Sequence, residues 1–129
     1  MQKNSNFQLG LLHFVHFLVK VDGRIDERER LAIIKIRKEE NISDSVFKDF
    51  EKSVLSRSEQ EIYSRGAELL NTCTEEEKIC AFVHLYRLAQ ADSILSTKEA
   101  RFLMYGLELT NIDLDEVILK ANLTEAKSA

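Results

Sequence analysis

The 129-residue sequence has no proline, no tryptophan, four glycines and two cysteines. The absence of proline and the scarcity of glycine argue against β-sandwiches, collagen-like repeats and proline-rich linkers. Cys73 and Cys80 are too few for a disulfide framework and indicate reduced thiols in a cytoplasmic protein. The longest apolar stretch, Leu9–Val21, is interrupted by histidines and a lysine and is shorter than the roughly 20 residues that span a bilayer. We therefore predict a cytoplasmic chain that does not cross a membrane.

The charge balance is acidic. Twenty-two acidic residues against 18 basic ones give a formal net charge of -4. A nucleic-acid-binding surface needs a basic surplus to neutralise phosphates, so we expect no nucleic-acid partner. The hydrophobic content of 44% and the chain length predict one folded domain over residues 1–129.

Helical periodicity dominates, and no stretch alternates like a strand. Two segments, about Asn6 to Val21 and Ile79 to Ala91, are apolar on nearly all sides, which is typical of helices in the middle of a core. Ser58 with Glu61, and Thr74 with Glu77, have the spacing of reciprocal helix caps. The sequence predicts an all-α fold of about seven helices in a compact bundle.

An internal repeat appears when the sequence is shifted by 70 residues. The matched pairs are Leu18 with Leu88, Asp22 with Asp92, Glu29 with Glu99, Asn41 with Asn111 and Ile42 with Ile112. The repeat covers about residues 12–43 and 82–113. Each copy consists of a buried helix, a short acidic loop, an amphipathic helix and an Asn-Ile stop. We predict two halves related by a pseudo-twofold axis, with the two buried helices in contact.

The acidic loops carry the candidate metal ligands. Residues 22–29 match the second half of an EF-hand calcium loop, but the carboxylates of its first half are missing, which excludes a standard calcium loop. What remains is a set of hard oxygen ligands that suits Ca²⁺ or Mg²⁺. The candidate ligands in the two loops are Asp22, Asp26, Glu29, Asp92, Ser96 and Glu99.

Helix capping explains the same residues without a metal. Asp26 and Ser96 stand where N-caps are expected, and Glu29 and Glu99 stand three residues later, as in a capping box. Both interpretations stay open, because a capping carboxylate has lone pairs left for a cation.

The pattern of these loops resembles the tellurite-resistance TerB-like family, which includes the N-terminal region of a membrane-anchored DnaJ-type co-chaperone. The resemblance rests on a buried helix leading into Val21–Glu29 and again into Ala91–Glu99, and on the two Asn-Ile stops. It covers about residues 8 to 123. It implies an all-α pseudo-symmetric bundle, a cytoplasmic role in stress responses, and an acidic cluster that binds a divalent metal. Ser93 and Ser96 depart from the family pattern and weaken the second loop as a ligand set.

We therefore expect a non-enzymatic binding or sensing module, tuned by a divalent cation and acting on another protein. A second hypothesis is a metal-independent scaffold or co-chaperone-type interaction domain, which predicts an exposed apolar groove. A third is a hydrolase that uses Cys80 as nucleophile and His84, four residues along the same helix, as base. The sequence leaves the oligomeric state open.

The second helix carries a run of basic residues interleaved with glutamates, among them Glu39 and Glu40. This pattern predicts a solvent-exposed face stabilised by i,i+4 ion pairs. A docking surface for an acidic partner is the alternative.

Overall fold

A computed structural model describes residues 5–21, 27–89 and 97–128, and their side chains except those of residues 19–21, 27–30, 32–33, 89, 97–99 and 124–128. Within these ranges the chain forms seven α-helices and no strand, which confirms the all-helical prediction. The helices are α1 (Ser5–Val21), α2 (Glu27–Glu39), α3 (Asp44–Leu55), α4 (Glu59–Asn71), α5 (Glu75–Ala89), α6 (Thr97–Thr110) and α7 (Leu114–Ser128).

The two helices predicted to be apolar all round lie at the centre. α1 contacts α3, α4, α5 and α6, and α5 contacts α1, α2, α4, α6 and α7. Their buried side chains include Phe14 and Leu18 on α1 and Phe82 and Leu85 on α5. A helix surrounded by other helices has little surface exposed to water, which explains why its sequence is apolar on nearly all sides. The predicted contact between the two buried helices is present.

Side-chain caps begin α4 and α5 where the sequence predicts them. At α4, the Ser58 hydroxyl accepts from the Glu61 amide while the Glu61 carboxylate accepts from the Ser58 amide. Thr74 and Glu77 form the same reciprocal pair at α5, with bonds of 2.9 and 3.1 Å. Each box satisfies two backbone donors that the first helical turn leaves free.

Both Asn-Ile stops end their helices with the same backbone turn. Asn41 and Asn111 have φ angles of 56° and 59°, the left-handed conformation that Asn tolerates better than most residues. The Ile42 amide donates to the Arg37 carbonyl at 2.9 Å, and the Ile112 amide donates to the Leu107 carbonyl at 2.9 Å. This is the Schellman motif, closed in each case by a buried isoleucine.

A further hydrogen bond recurs at the same offset. The Gln8 side-chain amide donates to the Glu40 carbonyl at 3.0 Å, and the Lys78 ammonium donates to the Thr110 carbonyl at 3.2 Å. Gln8 and Lys78 are 70 residues apart, as are Glu40 and Thr110. In each case a side chain of the buried helix therefore holds the C-terminal carbonyl of the amphipathic helix.

Candidate functional site

The acidic loops predicted to bind a cation lie mostly outside the described residues. Asp22, Asp26, Asp92 and Ser96 fall between the described ranges. Glu29 and Glu99 are each the third residue of their helix, α2 and α6, the position from which a capping carboxylate reaches back. The side chains of both glutamates are outside the described set, so capping and metal binding at these loops both stay predictions.

A cluster of three side chains with metal-binding and nucleophilic chemistry lies elsewhere, between α2 and α5. Nε2 of His84 lies 2.7 Å from Oε2 of Glu40, and the Cys80 thiol donates to the same oxygen at 3.4 Å. The three ligand atoms all lie within 4.8 Å of one another. The side chains of Glu40 and His84 are 8% and 7% exposed, and Cys80 is half-buried. We call Glu40, Cys80 and His84 the α2–α5 cluster.

The end of α2 fixes the position of Glu40. Its amide donates to the Ile36 carbonyl at 3.0 Å, and its carbonyl accepts from the buried Gln8. Asn41 then turns the chain away through the left-handed conformation. Both backbone groups of Glu40 are therefore held, and its carboxylate reaches Cys80 and His84 on α5.

The α-helical period places Cys80 and His84 on one face of α5, since residues four apart lie one turn above the other. Beside His84, a small cleft of about 160 Å³ is lined by Ile36, Leu88 and three charged residues, Lys35, Glu39 and Arg87. Apolar neighbours reduce the water around the carboxylate and imidazole, which strengthens the interaction between them. The cluster is thus a nearly buried polar site at the edge of a cleft.

The two cysteines have different surroundings. The Cys73 thiol, at the C-terminal end of α4, donates to the Leu69 carbonyl at 3.5 Å. Burial raises the pKa of the Cys73 thiol, against a smaller lowering effect of its hydrogen bond with Thr72. Cys80 instead approaches a carboxylate and an imidazole. Only Cys80 belongs to a group of potential metal ligands among the described residues.

Part of the cluster is visible in the sequence. The prediction that Cys80 and His84 share a helix face is confirmed, whereas the nucleophilic role suggested for them is untested. The interpretation of Glu40 as part of a solvent-exposed face is wrong, because its carboxylate is buried against His84. Glu39 does follow that interpretation, with an i,i+4 ion pair to Lys35 at 3.8 Å. Glu40 directly precedes the Asn-Ile stop, where the chain leaves the helix. This position is the feature of the sequence that could have indicated its burial.

An apolar groove is lined by residues of α6 and the start of α7. It has a volume of about 860 Å³ and runs along α6 to the start of α7. Met104 and Tyr105 on its wall are 53% and 56% exposed. Arg101, Glu108 and Asp113 are among the residues that line it. The interaction role of the scaffold hypothesis is untested.

The sequence matches no protein-family model, no curated protein and no solved structure. Among the described residues, no helix has both the length and the apolar character needed to cross a membrane.

Proposed function

We propose that the protein is a small TerB-like binding or sensing module, composed of two helical halves related by a pseudo-twofold axis, that takes up a divalent cation at its acidic loops. The observation that carries the proposal is the paired contact of Gln8 with Glu40 and of Lys78 with Thr110. Two side chains of different chemistry make the same bond 70 residues apart. Unrelated helices would have no reason to repeat it.

The helix order adds support for two equivalent halves. α1, α2 and α3 correspond at this offset to α5, α6 and α7, and α4 connects the two sets. α1 contacts α6 while α5 contacts α2, so each buried helix also touches the amphipathic helix of the other set. This exchange of contacts is what a twofold axis between α1 and α5 would produce.

The same 70-residue correspondence relates the two acidic loops. Each connects a buried helix to an amphipathic one, and the third residue of that second helix is a glutamate in both cases. Hard oxygen donors of this kind suit Ca²⁺ or Mg²⁺. Two cysteines that form no disulfide support a cytoplasmic place of action.

Isothermal titration calorimetry with Ca²⁺ and with Mg²⁺ tests the cation at the loops. The wild type should give a saturable heat, Asp22→Asn should weaken binding at least tenfold, and Asp49→Asn on exposed α3 should change nothing. Absence of heat at millimolar cation would refute the loop site. Equal binding by all three proteins would place the cation elsewhere.

The groove along α6 favours a second candidate function, a metal-independent protein-interaction domain. Its floor contains Leu107, Ile112 and Leu114, and its exposed wall presents Met104 and Tyr105. Exposed large apolar side chains around a groove are typical of a surface that binds a partner helix. The partner on this hypothesis is an amphipathic helix that inserts its apolar face.

Selection from a displayed library of helical peptides tests the groove. Enriched peptides should bind the wild type without added metal and bind Met104→Glu at least tenfold more weakly. Leu55→Glu, at an 85% exposed residue outside the groove, is the matched control. Peptides that bind all three proteins equally, or no enrichment at all, would contradict the proposed docking surface.

A further inference from the structure

We infer that the α2–α5 cluster is a binding site for Zn²⁺, formed by the Glu40 carboxylate, the Cys80 thiolate and the His84 imidazole. This site shares no residue with the acidic loops and does not depend on a cation there. It connects the end of α2 to the middle of α5, two helices that the proposed repeat assigns to different halves.

The donor set decides the class of metal. One sulfur, one imidazole nitrogen and one carboxylate oxygen are the three ligand types that zinc takes in proteins. Ca²⁺ and Mg²⁺ prefer oxygen alone and gain little from a thiolate. The cluster should therefore select Zn²⁺ over the cations proposed for the loops.

The two distances from the Glu40 carboxylate are close to those that zinc requires. Zinc bonds of about 2.0 to 2.3 Å at tetrahedral angles put nitrogen about 3.3 Å and sulfur about 3.6 Å from the carboxylate oxygen. The corresponding distances from Glu40 Oε2 are 2.7 Å to His84 Nε2 and 3.4 Å to Cys80 Sγ. Opening the carboxylate–imidazole pair by about 0.6 Å would accommodate the ion, a shift within the reach of side-chain torsions.

The hydrogens between these atoms are what the metal would replace. When Zn²⁺ binds, the Cys80 S–H bond breaks, the sulfur–zinc bond forms and one proton goes to solvent. The His84 Nε2 lone pair must also face the metal. A hydrogen on Nε2 therefore leaves, either to solvent from the imidazolium or to Nδ1 by a change of tautomer.

The fold positions the three ligand residues of the α2–α5 cluster before a metal binds. Cys80 and His84 are fixed by helix α5, and the Glu40 backbone is held by its amide bond to the Ile36 carbonyl and by Gln8. Gln8 is a positioning residue, since it acts on the site through the Glu40 backbone. Three protein ligands leave a fourth tetrahedral position for water or another ligand, and His84 borders a small cleft.

Titration with Co²⁺, a spectroscopic substitute for Zn²⁺, tests the ligand set. The wild type should develop a thiolate-to-cobalt absorption band at one equivalent and lose it when Zn²⁺ is added. Cys80→Ser should abolish the band, and Glu40→Gln and His84→Gln should weaken cobalt binding at least tenfold. Cys73→Ser, which removes the other thiol, and Asp22→Asn, in the acidic loop, should leave the band unchanged. A band lost in Cys73→Ser, or no band in the wild type, overturns the assignment.

A measurement on the wild-type protein avoids dependence on variants that fail to fold. Alkylation by iodoacetamide requires a free thiolate, so Zn²⁺ should slow modification of Cys80 at least tenfold and leave Cys73 unaffected. Ca²⁺ at the same concentration should protect neither cysteine. Unchanged alkylation of Cys80 under saturating Zn²⁺ would refute the site, even if the acidic loops bind their cation as proposed.

Discussion

Glu40 and Thr110 are 70 residues apart and close the same kind of turn, but their side chains make different interactions. The Glu40 carboxylate leaves its own helix and reaches His84 and Cys80 on α5. The fully buried Thr110 hydroxyl stays on its own helix and donates to the Gly106 carbonyl at 2.8 Å. The Glu40 side chain thus joins two helices, whereas the Thr110 side chain bonds within its own helix and only the Thr110 carbonyl is contacted by α5, through Lys78.

The corresponding positions on the two central helices also differ. At the 70-residue offset, Cys80 corresponds to Gly10 and His84 corresponds to Phe14. Glycine and phenylalanine carry no hydrogen-bonding side chain, so α1 has no thiol and imidazole of the kind that Cys80 and His84 present on α5. Two similar backbone turns therefore differ in side-chain chemistry, and only the turn at Glu40 meets a thiol and an imidazole.

The largest loss of stability should come from substituting Phe14, the apolar counterpart of His84. Phe14 is fully buried, and its ring centroid lies 5.2 to 5.8 Å from those of Tyr63, Phe82 and Phe102. Phe14→Ala should lower the free energy of unfolding by about 3 to 5 kcal/mol, measured by urea denaturation. Leu119→Ala, at a residue that is 61% exposed, should change it by less than about 0.5 kcal/mol. A Phe14 loss below about 1 kcal/mol would mean that the ring is not an anchor of the core.

Substituting Glu40 should lower the free energy of unfolding by less, and for a different reason. Glu40→Ala removes the acceptor shared by Cys80 and His84 and should cost about 1 to 3 kcal/mol. Thr110→Val, which leaves no other side chain without a partner, should cost at most about 1 kcal/mol. Exposed Glu39→Ala should cost less than about 0.5 kcal/mol. The comparison fails if Glu40→Ala is no more destabilising than Thr110→Val in the same denaturation assay.

Most of the fold could be predicted because its signals are local. Capping pairs such as Ser58 with Glu61 and Thr74 with Glu77 lie within one helical turn, and the all-round apolar character of α1 belongs to one stretch of sequence. The predicted Asn-Ile stops are confirmed as helix ends at both positions. The pseudo-twofold arrangement stays a prediction, because it concerns how distant segments meet.

The α2–α5 cluster could be predicted only in part, for the same reason. Cys80 and His84 are four residues apart, so helical geometry alone puts them together. Glu40 is far from both in sequence, and its charge pattern is that of an exposed helix. Its burial depends on the packing of α2 against α5, which no periodicity reveals.

The two left-handed asparagines should respond alike, because their backbones are alike. Asn41→Ala and Asn111→Ala should each cost about 1 kcal/mol, since alanine tolerates a positive φ poorly. Asn41→Gly and Asn111→Gly should stay within about 0.5 kcal/mol of the wild type, since glycine adopts this conformation freely. Thermal and urea denaturation of the four variants would measure this. A cost at one site only would break the equivalence of the two turns.

The smallest effect concerns His13, which corresponds to Val83 in the second half. Burial chiefly lowers the pKa of His13 from its ordinary 6.5, with smaller contributions from Arg57, Arg65 and His16, against the raising effect of the Leu9 carbonyl. Nδ1 lies 2.6 Å from that carbonyl, whereas the buried Nε2 has no acceptor for the second proton of an imidazolium.

Below pH 6.5 the unfolded chain therefore takes up a proton at His13 before the folded chain does. Because the unfolded state then binds more protons, the free energy of unfolding falls as the pH falls through this window and is fully restored above it. Urea denaturation from pH 7.5 down to about 5 should show a steeper decline for the wild type than for His13→Val, with parallel behaviour above pH 7. Parallel curves over the whole range would show that the buried imidazole titrates alike in the folded and unfolded chains. His13 would then make stability no more dependent on pH than its counterpart Val83 does.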